Sequence, residues 1–227
     1  MKNLVVLTGA GISAESGIKT FRDADGLWEG HDIMEVASPQ GFYKNPTLVL
    51  DFYNQRRKQL QTVKPNKAHL NLKTLENDFN VQIITQNVDN LHEVAQSKNV
   101  IHLHGELLKV RSTANENLIY NWKNDLILGD LCEEKSQLRP HIVWFGEEVP
   151  MLEKAAEITL QADILVIIGT SMQVYPAASL INYAKPNIPI YFIDPKPSVS
   201  ENQFNNLTII KDVASSGTDK LLELLRN

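Results

Sequence analysis

The sequence predicts an α/β fold, a doubly wound parallel sheet carrying a small inserted module. Three observations lead there. Short runs rich in Val, Ile and Leu recur at residues 4–7, 81–85, 164–168 and 190–193, the composition of parallel strands covered on both faces. Segments with helical spacing of apolar residues lie between them, and strand–helix alternation builds a parallel sheet. Two of the runs lead straight into glycine turns, Thr8-Gly9-Ala10-Gly11 and Gly169-Thr170-Ser171.

The elements follow in order. Residues 4–7 form the first strand, and Ser13-Ala14-Glu15-Ser16 opens a short helix whose hydroxyls can cap free N–H groups. A polar stretch rich in turn residues follows Trp28. Asn45 then caps a helix over 46–60 that starts on Pro46. Asn66 caps a second helix over 67–77, with Leu70, Leu72 and Leu75 turned inward. The next strand, at 81–85, begins about seventy residues after Leu7, where an ordinary dinucleotide-binding unit closes in about thirty. Something is therefore inserted after the first glycine turn. Residues 91–95 are a short helix, and 100–105 a strand that sets His102 and His104 on one face. Residues 107–140 are polar, with small strands near 107–111 and 118–122. Strand character returns at 141–147, followed by a helix at 151–161, the central strand ending at Ile168, a helix at 176–185, strands ending at Ile193 and Ile210, and a closing amphipathic helix over 217–225. A large part spans about 1–28, 80–106 and 141–227, a helical insertion about 29–79, and a small module about 107–140.

Composition bounds the function. The chain has 227 residues, with 22 basic and 27 acidic side chains and a net charge of −5. No basic tail or dense basic patch points to nucleic acid. One cysteine, Cys132, excludes an intrachain disulfide framework and a multi-cysteine zinc site. The apolar run before Thr8 is too short for a signal peptide, and that at 164–168 is too short to span a bilayer. A cytosolic monomer with no membrane or nucleic-acid partner is expected.

The residues that carry chemistry cluster after strand ends, where open α/β sheets bind ligands. Gly9-x-Gly11-x-x-Ala14 is a variant of the dinucleotide fingerprint: glycine admits a phosphate close to the backbone, and a helix start offers N–H donors. Beyond it stand Phe21, Arg22 and Trp28, which a packing turn alone does not need. Gln86-Asn87-Val88-Asp89-Asn90 follows the strand at 81–85 directly. It reads as a site, or as an Asn/Asp turn capping the next helix. His102 and His104 could form a metal pair, but the sequence forces no third ligand, and a single catalytic histidine beside Gly105 is the better reading. Tyr53 and Arg56, three apart, share a helix face.

Taken together these motifs resemble the sirtuins, NAD-dependent protein lysine deacylases. Residues 9–17, Thr20-Phe21-Arg22, Gly26-Leu27-Trp28, 85–89, His102-Leu103-His104-Gly105, Val143-Trp144-Phe145-Gly146 and Gly169-Thr170-Ser171 occur in the family's order, and the resemblance spans about 4–225. It implies a Rossmann-like NAD domain. Gly9, Ala10, Gly11 and Ser13 would cradle the pyrophosphate, with Arg22 adding charge. Ile12, Phe21, Asn87 and Asp89 would hold nicotinamide, with Trp28 grouped among the NAD contacts. Gln86 would bind the nicotinamide-side ribose, and His104 would be general base, a task suited to an imidazole at neutral pH. Gly169, Thr170, Ser171 and Asp194 would meet the phosphate and the adenine-side ribose, and Ala214 the adenine. Val143, Trp144, Phe145 and Gly146 resemble an edge that pairs with an extended substrate peptide. The stretch around Pro39 and the Tyr53–Arg56 pair resemble the branch that removes succinyl, malonyl or glutaryl groups, a phenol and a guanidinium fork suiting a carboxylate. There, a small Ala37 leaves room for the longer acyl chain. The plain alternative for Arg56 is a surface arginine, with Arg57 and Lys58 as ordinary basic neighbours.

One departure matters. Most sirtuins carry four zinc-binding cysteines in the small module, whereas here Ser112 follows Arg111 and only Cys132 lies downstream. No zinc is expected, and the module is expected to hold by packing of Ile119, Trp122, Leu126 and Leu128. Acylated-lysine proteins are the expected partners. An NAD hydrolase or ADP-ribosyltransferase on the same fold is the alternative, and a non-catalytic NAD sensor a third.

Overall fold

The computed structural model describes residues 1–19, 27–28, 30–200, 204 and 206–226. The chain begins with strand β1 (Asn3–Thr8), whose four apolar residues alternate between two cores. Leu4 and Val6 face one way, against Ala68, Leu72 and Leu75 of α5 (Lys67–Leu75) and Ala214 and Leu221 of α8 (Ala214–Arg226). Val5 and Leu7 face the other, against Ala155 and Ala156 of α7 (Leu152–Leu160) and Leu180 and Ile181 of a 3₁₀ segment (Ala177–Tyr183). The uninterrupted apolar run is therefore needed for both faces, and each fully buried Leu or Val adds roughly 1.5–3 kcal/mol.

β1 is flanked by β4 (Asn80–Thr85) and β9 (Ile164–Ile168), both parallel to it. β5 (Val100–His102) extends one side, and β10 (Ile190–Ile193) with β11 (Leu207–Ile210) the other, giving the parallel order β11-β10-β9-β1-β4-β5. Counted along the sheet's own strands this is the 3-2-1-4-5-6 order of the dinucleotide-binding fold. The order reverses between β1 and β9, so the loops after those two strands frame the ligand crevice.

Among the described residues, between β1 and β4 lie a first helix, α1 (Ala10–Ala14), a two-stranded ribbon, β2 (Leu27–Trp28) with β3 (His31–Asp32), and the helices α2 (Ile33–Val36), α3 (Pro39–Lys44), α4 (Pro46–Leu60) and α5. Asn45 and Asn66 cap α4 and α5 through Leu48 N and Ala68 N, as the sequence predicts. After β4 come α6 (Leu91–Val94) and β5, then the small antiparallel sheet β7-β6-β8, built from β6 (Gly105–Ser112), β7 (Ile119–Asn121) and β8 (Leu138–Ile142).

Several local expectations change. The first helix, α1 (Ala10–Ala14), starts at Ala10, not Ser13, with Gly9 as an N-cap that has no side chain to offer. Leu70 points outward, 51% exposed, while His69 takes the inward place on α5. His104 lies in the turn after β5, not on its face, and residues 143–146 are a loop, not a strand. The small module is centred on Leu126, which is fully buried, but Ile119 and Leu128 face solvent. Their places are taken by Leu50, Val110, Cys132 and Leu138, with Trp122 packed at the edge.

What holds this module is mostly on α4. Asn54 donates from Nδ2 to Leu126 O (3.0 Å) and accepts Leu126 N–H at Oδ1 (2.8 Å), pairing with that residue as a strand would. Arg57, 1% exposed, donates to Leu107 O, Asn124 O and Asn54 Oδ1. Burial lowers its pKa to about 10, which the nearby Asp125 partly offsets. The sequence reading that Arg57 is an ordinary surface cation is thus wrong, although it holds for Lys58, whose exposed ammonium meets Asp125. Ser112 and Cys132 stand together, with the thiol 3.4 Å from Ser112 Oγ.

Candidate functional site

The two glycine turns meet backbone to backbone at the reversal point. Gly9 N donates to Ile168 O (3.0 Å) and Gly11 N to Gly169 O (2.8 Å). A Cβ on Gly9 would stand 2.7 Å from the Thr170 Cβ, and one on Gly11 2.6 Å from the Gly169 Cα. Gly169 itself has φ +61, a conformation that glycine adopts without strain. The residues predicted for the pyrophosphate, Gly9, Ala10, Gly11 and Ser13, thus adjoin Gly169, Thr170 and Ser171.

Ser13 does not cap its helix. Its hydroxyl donates to Asp89 Oδ2 (2.9 Å) and accepts from Asn87 Nδ2 (3.1 Å). All three side chains are buried, beside the fully buried Ile12. Thr85 Oγ1 accepts Asn87 N–H, and Asp89 Oδ1 accepts Leu91 N–H. Asp89 thus bonds Ser13 with one oxygen and the first turn of the next helix with the other. Burial raises the Asp89 pKa, partly offset by the Leu91 and Ser13 donors. Gln86 leaves the end of β4 toward the other loop, its Nε2 donating to Thr170 Oγ1 (3.2 Å).

His104 joins this group from the β5–β6 turn. Its Nδ1 lies 3.0 Å from Gln86 O. A carbonyl only accepts, so Nδ1 carries the hydrogen and Nε2 keeps its lone pair. Burial lowers the His104 pKa against the opposing effect of the Gln86 bond, so the imidazole is neutral at neutral pH. His102 differs: Nδ1 bonds Asn87 O and Nε2 bonds Glu93 Oε1, both at 2.9 Å. Burial works against its charge, but the Glu93 carboxylate and the Asn87 carbonyl outweigh it and raise the pKa. Both His102 nitrogens are spent on protein partners, so the two histidines do not act as a metal pair.

His104 also connects to the predicted substrate edge, since its backbone O accepts Val143 N–H (2.9 Å). The edge is then fixed residue by residue. Glu147 Oε2 accepts Trp144 N–H (2.8 Å), and Ala37 O accepts Phe145 N–H (2.9 Å). Gly146 turns the chain with φ +90. Three of the four N–H groups expected to pair with a substrate strand are taken internally. The Trp144 carbonyl is taken as well, accepting Glu147 N–H (3.0 Å).

Ala37 is buried beside this loop. Tyr53, fully buried, accepts the Trp144 indole N–H at its hydroxyl (3.0 Å), and burial keeps its pKa well above the usual phenol value. Arg56 is half-buried, with its guanidinium 3.9 Å from the Phe52 ring centroid and Nη1 donating to Phe52 O. The structure thus gathers His104, the 143–146 loop, Ala37 and Tyr53 on one side of the crevice loops.

Asp194 follows Ile193, whose carbonyl accepts the Gly169 N–H (2.9 Å). Asp194 ends β10, buried, with Oδ1 accepting Lys196 N–H (2.8 Å). Ala214 starts α8, where the next residue, Ser215, donates its N–H to Glu15. Phe21 and Arg22 lie outside the described residues, as does the Trp28 side chain. The sequence reading missed Glu147, which receives Arg139 at both oxygens (2.6 and 3.1 Å) and Arg111 (3.1 Å). It also missed Asn66, which donates to Ile12 O (2.7 Å) and so ties α5 to the first glycine turn. An acidic residue directly after the 143–146 stretch was the available signal for the first; nothing local announced the second.

These groups fit the dinucleotide that the resemblance implies. The paired loops expose backbone without side chains, and a buried amide and carboxylate adjoin them, a set suited to a carboxamide. The Sir2 family profile matches residues 9–176. A Helicobacter pylori protein named NAD-dependent protein deacylase is 68% identical over 86% of this chain and 86% of its own. One of the same name from Bacteroides thetaiotaomicron is 52% identical over 99% of this chain and 98% of its own. Among solved structures, a Sir2 homolog–NAD complex superimposes with a TM-score of 0.87 at 40% identity, covering 99% of this chain and 90% of that one. A Sir2 protein bound to acetylated peptide gives 0.80 at 28% identity, over 98% and 93%. The chain belongs to the Sir2 family.

Proposed function

We propose that this chain is an NAD-dependent protein lysine deacylase that takes acidic acyl groups (succinyl, malonyl or glutaryl) and acetyl as well, consuming NAD and one water and yielding nicotinamide, O-acyl-ADP-ribose and free lysine. One observation carries the reading. His104 stands between the glycine-turn crevice and the 143–146 loop, with Nε2 left as an acceptor. Bound NAD supplies a ribose carbon that becomes electrophilic as nicotinamide departs. The chain's residues do the rest. The loops at 9–13 and 169–171 hold the phosphates and riboses. Asn87 and Asp89, fixed by Ser13, hold the carboxamide away from water. His104 Nε2 takes a proton from a ribose hydroxyl, and Gln86, whose carbonyl sets the tautomer, orients that base.

The acidic-acyl preference rests on α4. Tyr53 and Arg56 are one turn apart on the helix that flanks the 143–146 loop, and a neutral phenol with a guanidinium is a natural pair for a carboxylate. The small Ala37 supports room for a longer chain. The same helix supports a small module without zinc, because Asn54 and Arg57 tie it down directly.

Matched acetyl-lysine and succinyl-lysine peptides, assayed with NAD in the wild type and Arg56→Met, test the preference. Loss of succinyl turnover with acetyl turnover retained supports it. Succinyl turnover indifferent to Arg56 refutes it.

A further inference from the structure

The hydroxyl of Tyr53 is held from outside the acyl site. Trp144 Nε1 donates to it at 3.0 Å, with the two side chains buried and their ring centroids 6.4 Å apart. The indole is itself fixed at several points. The Arg139 guanidinium lies 3.4 Å from its ring centroid, and Phe42 touches it at 5.3 Å. Arg139 is clamped by both oxygens of Glu147, and Glu147 also accepts the Trp144 backbone N–H. Ring and backbone of Trp144 are thus tied to one carboxylate, by a chain running Glu147, Arg139, Trp144, Tyr53.

A phenol oxygen carries one hydrogen and two acceptor positions. The indole N–H occupies an acceptor position and turns the O–H away from Trp144. A hydroxyl that already accepts a hydrogen bond is also polarised to donate a stronger one. Arg56, one turn along α4, is a cation near enough to act on Tyr53 electrostatically. A phenol without a fixed donor could instead turn its oxygen to that guanidinium and compete with an incoming carboxylate. The indole opposes that orientation.

We propose that Trp144 is a specificity-determining positioning residue, whose indole N–H fixes the Tyr53 hydroxyl as a donor toward the carboxylate of an acidic acyl-lysine. This rests on the reading of Tyr53 and Arg56 given above and adds a residue that acts through Tyr53. Trp144 contributes through its side chain, since its backbone N–H belongs to Glu147. An uncharged acyl group has no carboxylate to receive the phenol hydrogen, so the effect falls on the ratio between acyl classes.

The test is a double-mutant cycle read as the succinyl-to-acetyl ratio of kcat/KM. The variants are Trp144→Phe, Tyr53→Phe, their combination and Arg56→Met. Trp144→Phe is expected to lower the ratio about tenfold, the size of one hydrogen bond to a charged group, chiefly through KM for the succinyl peptide. In the Tyr53→Phe background the same substitution changes the ratio by less than about twofold, as for two residues acting in series. A ratio unmoved by Trp144→Phe overturns the proposal. So does an equal fall in both backgrounds, which marks a merely structural role. If Arg56→Met lowers the ratio and Trp144→Phe does not, the proposal fails while the acidic-acyl reading stands. If Arg56→Met leaves the ratio unchanged, that reading fails and takes the proposal with it. Should Trp144→Phe not fold, Arg139→Gln, which loosens the indole but keeps it, is read by the same two criteria.

Discussion

The parallel sheet and the small antiparallel module are built by different means. At the reversal between β1 and β9 the crevice is made of backbone: glycine turns interlock at distances no side chain would allow, and buried strands hold them. The module has one eight-residue strand with two shorter partners, one thiol, and a core of five buried side chains, one of them Leu50 from α4. It is fixed by Asn54 and Arg57, which lie on α4 some seventy positions before Leu126 and Asn124. The crevice depends on which residues are absent at a few points, and the module on which side chains reach it from a distance. His104 stands where the two meet. It turns its ring to the crevice carbonyl of Gln86 while its own carbonyl holds Val143.

The comparison can be broken at several places. The largest effect is expected at the junction. His104→Ala should lower kcat for deacylation by about 10²–10⁴, the usual contribution of a general base, with peptide binding by calorimetry nearly unchanged. The pH dependence has a defined sign. The base works when neutral, and burial lowers its pKa, so the acidic limb of kcat/KM should lie below pH 6.5. A limb above that value would contradict the assignment.

Next comes the module's anchor. Asn54→Ala leaves the buried N–H and C=O of Leu126 without their partner, and should cost about 2–4 kcal/mol in urea unfolding. A loss confined to β6–β8, seen as faster amide exchange there than in the parallel sheet, would separate module from sheet. Uniform exchange would show that the two unfold together.

The parallel sheet carries its own acid sensitivity. His69 and His92 are fully buried against each other, ring centroids 4.9 Å apart, with His92 Nε2 on Thr8 Oγ1. Burial lowers the pKa of His69 to about 4, only partly offset by Glu93. The folded pKa lies below the unfolded one, so this contribution is present above pH 6.5 and lost as pH falls toward 4. His69 alone gives a slope of up to about 1.4 kcal/mol per pH unit across that window. His69→Gln should flatten the slope measured by denaturant titration.

The smallest effect is expected at Lys58. Its exposed pair with Asp125 should contribute no more than about 0.5 kcal/mol, so Lys58→Met should leave the unfolding midpoint nearly unmoved. A large loss there would mean that surface charge, and not Asn54 and Arg57, holds the module.

These contrasts also explain what could be read from the sequence. The apolar runs at 4–7 and 164–168 announce strands because burial on both faces leaves no other composition. Glycines at the crevice announce themselves because nothing else fits. Asn45 and Asn66 were legible as caps, since a cap is a local bond. Arg57 was misread because its burial depends on Leu107 and Asn124, far along the chain. Ile119 was misassigned because β7 is only three residues long, too short for alternation to be seen, and Leu128 because it lies in a turn outside any strand. Ser13 was placed as a cap, but its hydroxyl serves Asp89, 76 positions away. Residues 143–146 look like a strand in composition, and Glu147 and Ala37 hold them as a loop.

The most direct test of the account is stoichiometry. Wild-type protein, NAD and an acetyl-lysine peptide are mixed, and nicotinamide and deacylated peptide are both followed by mass spectrometry. Coupling of the crevice to the 143–146 loop through His104 predicts equal amounts of the two products, with loss of both in His104→Ala. Nicotinamide released without deacylated peptide would contradict it and make the chain a hydrolase of NAD on the same fold.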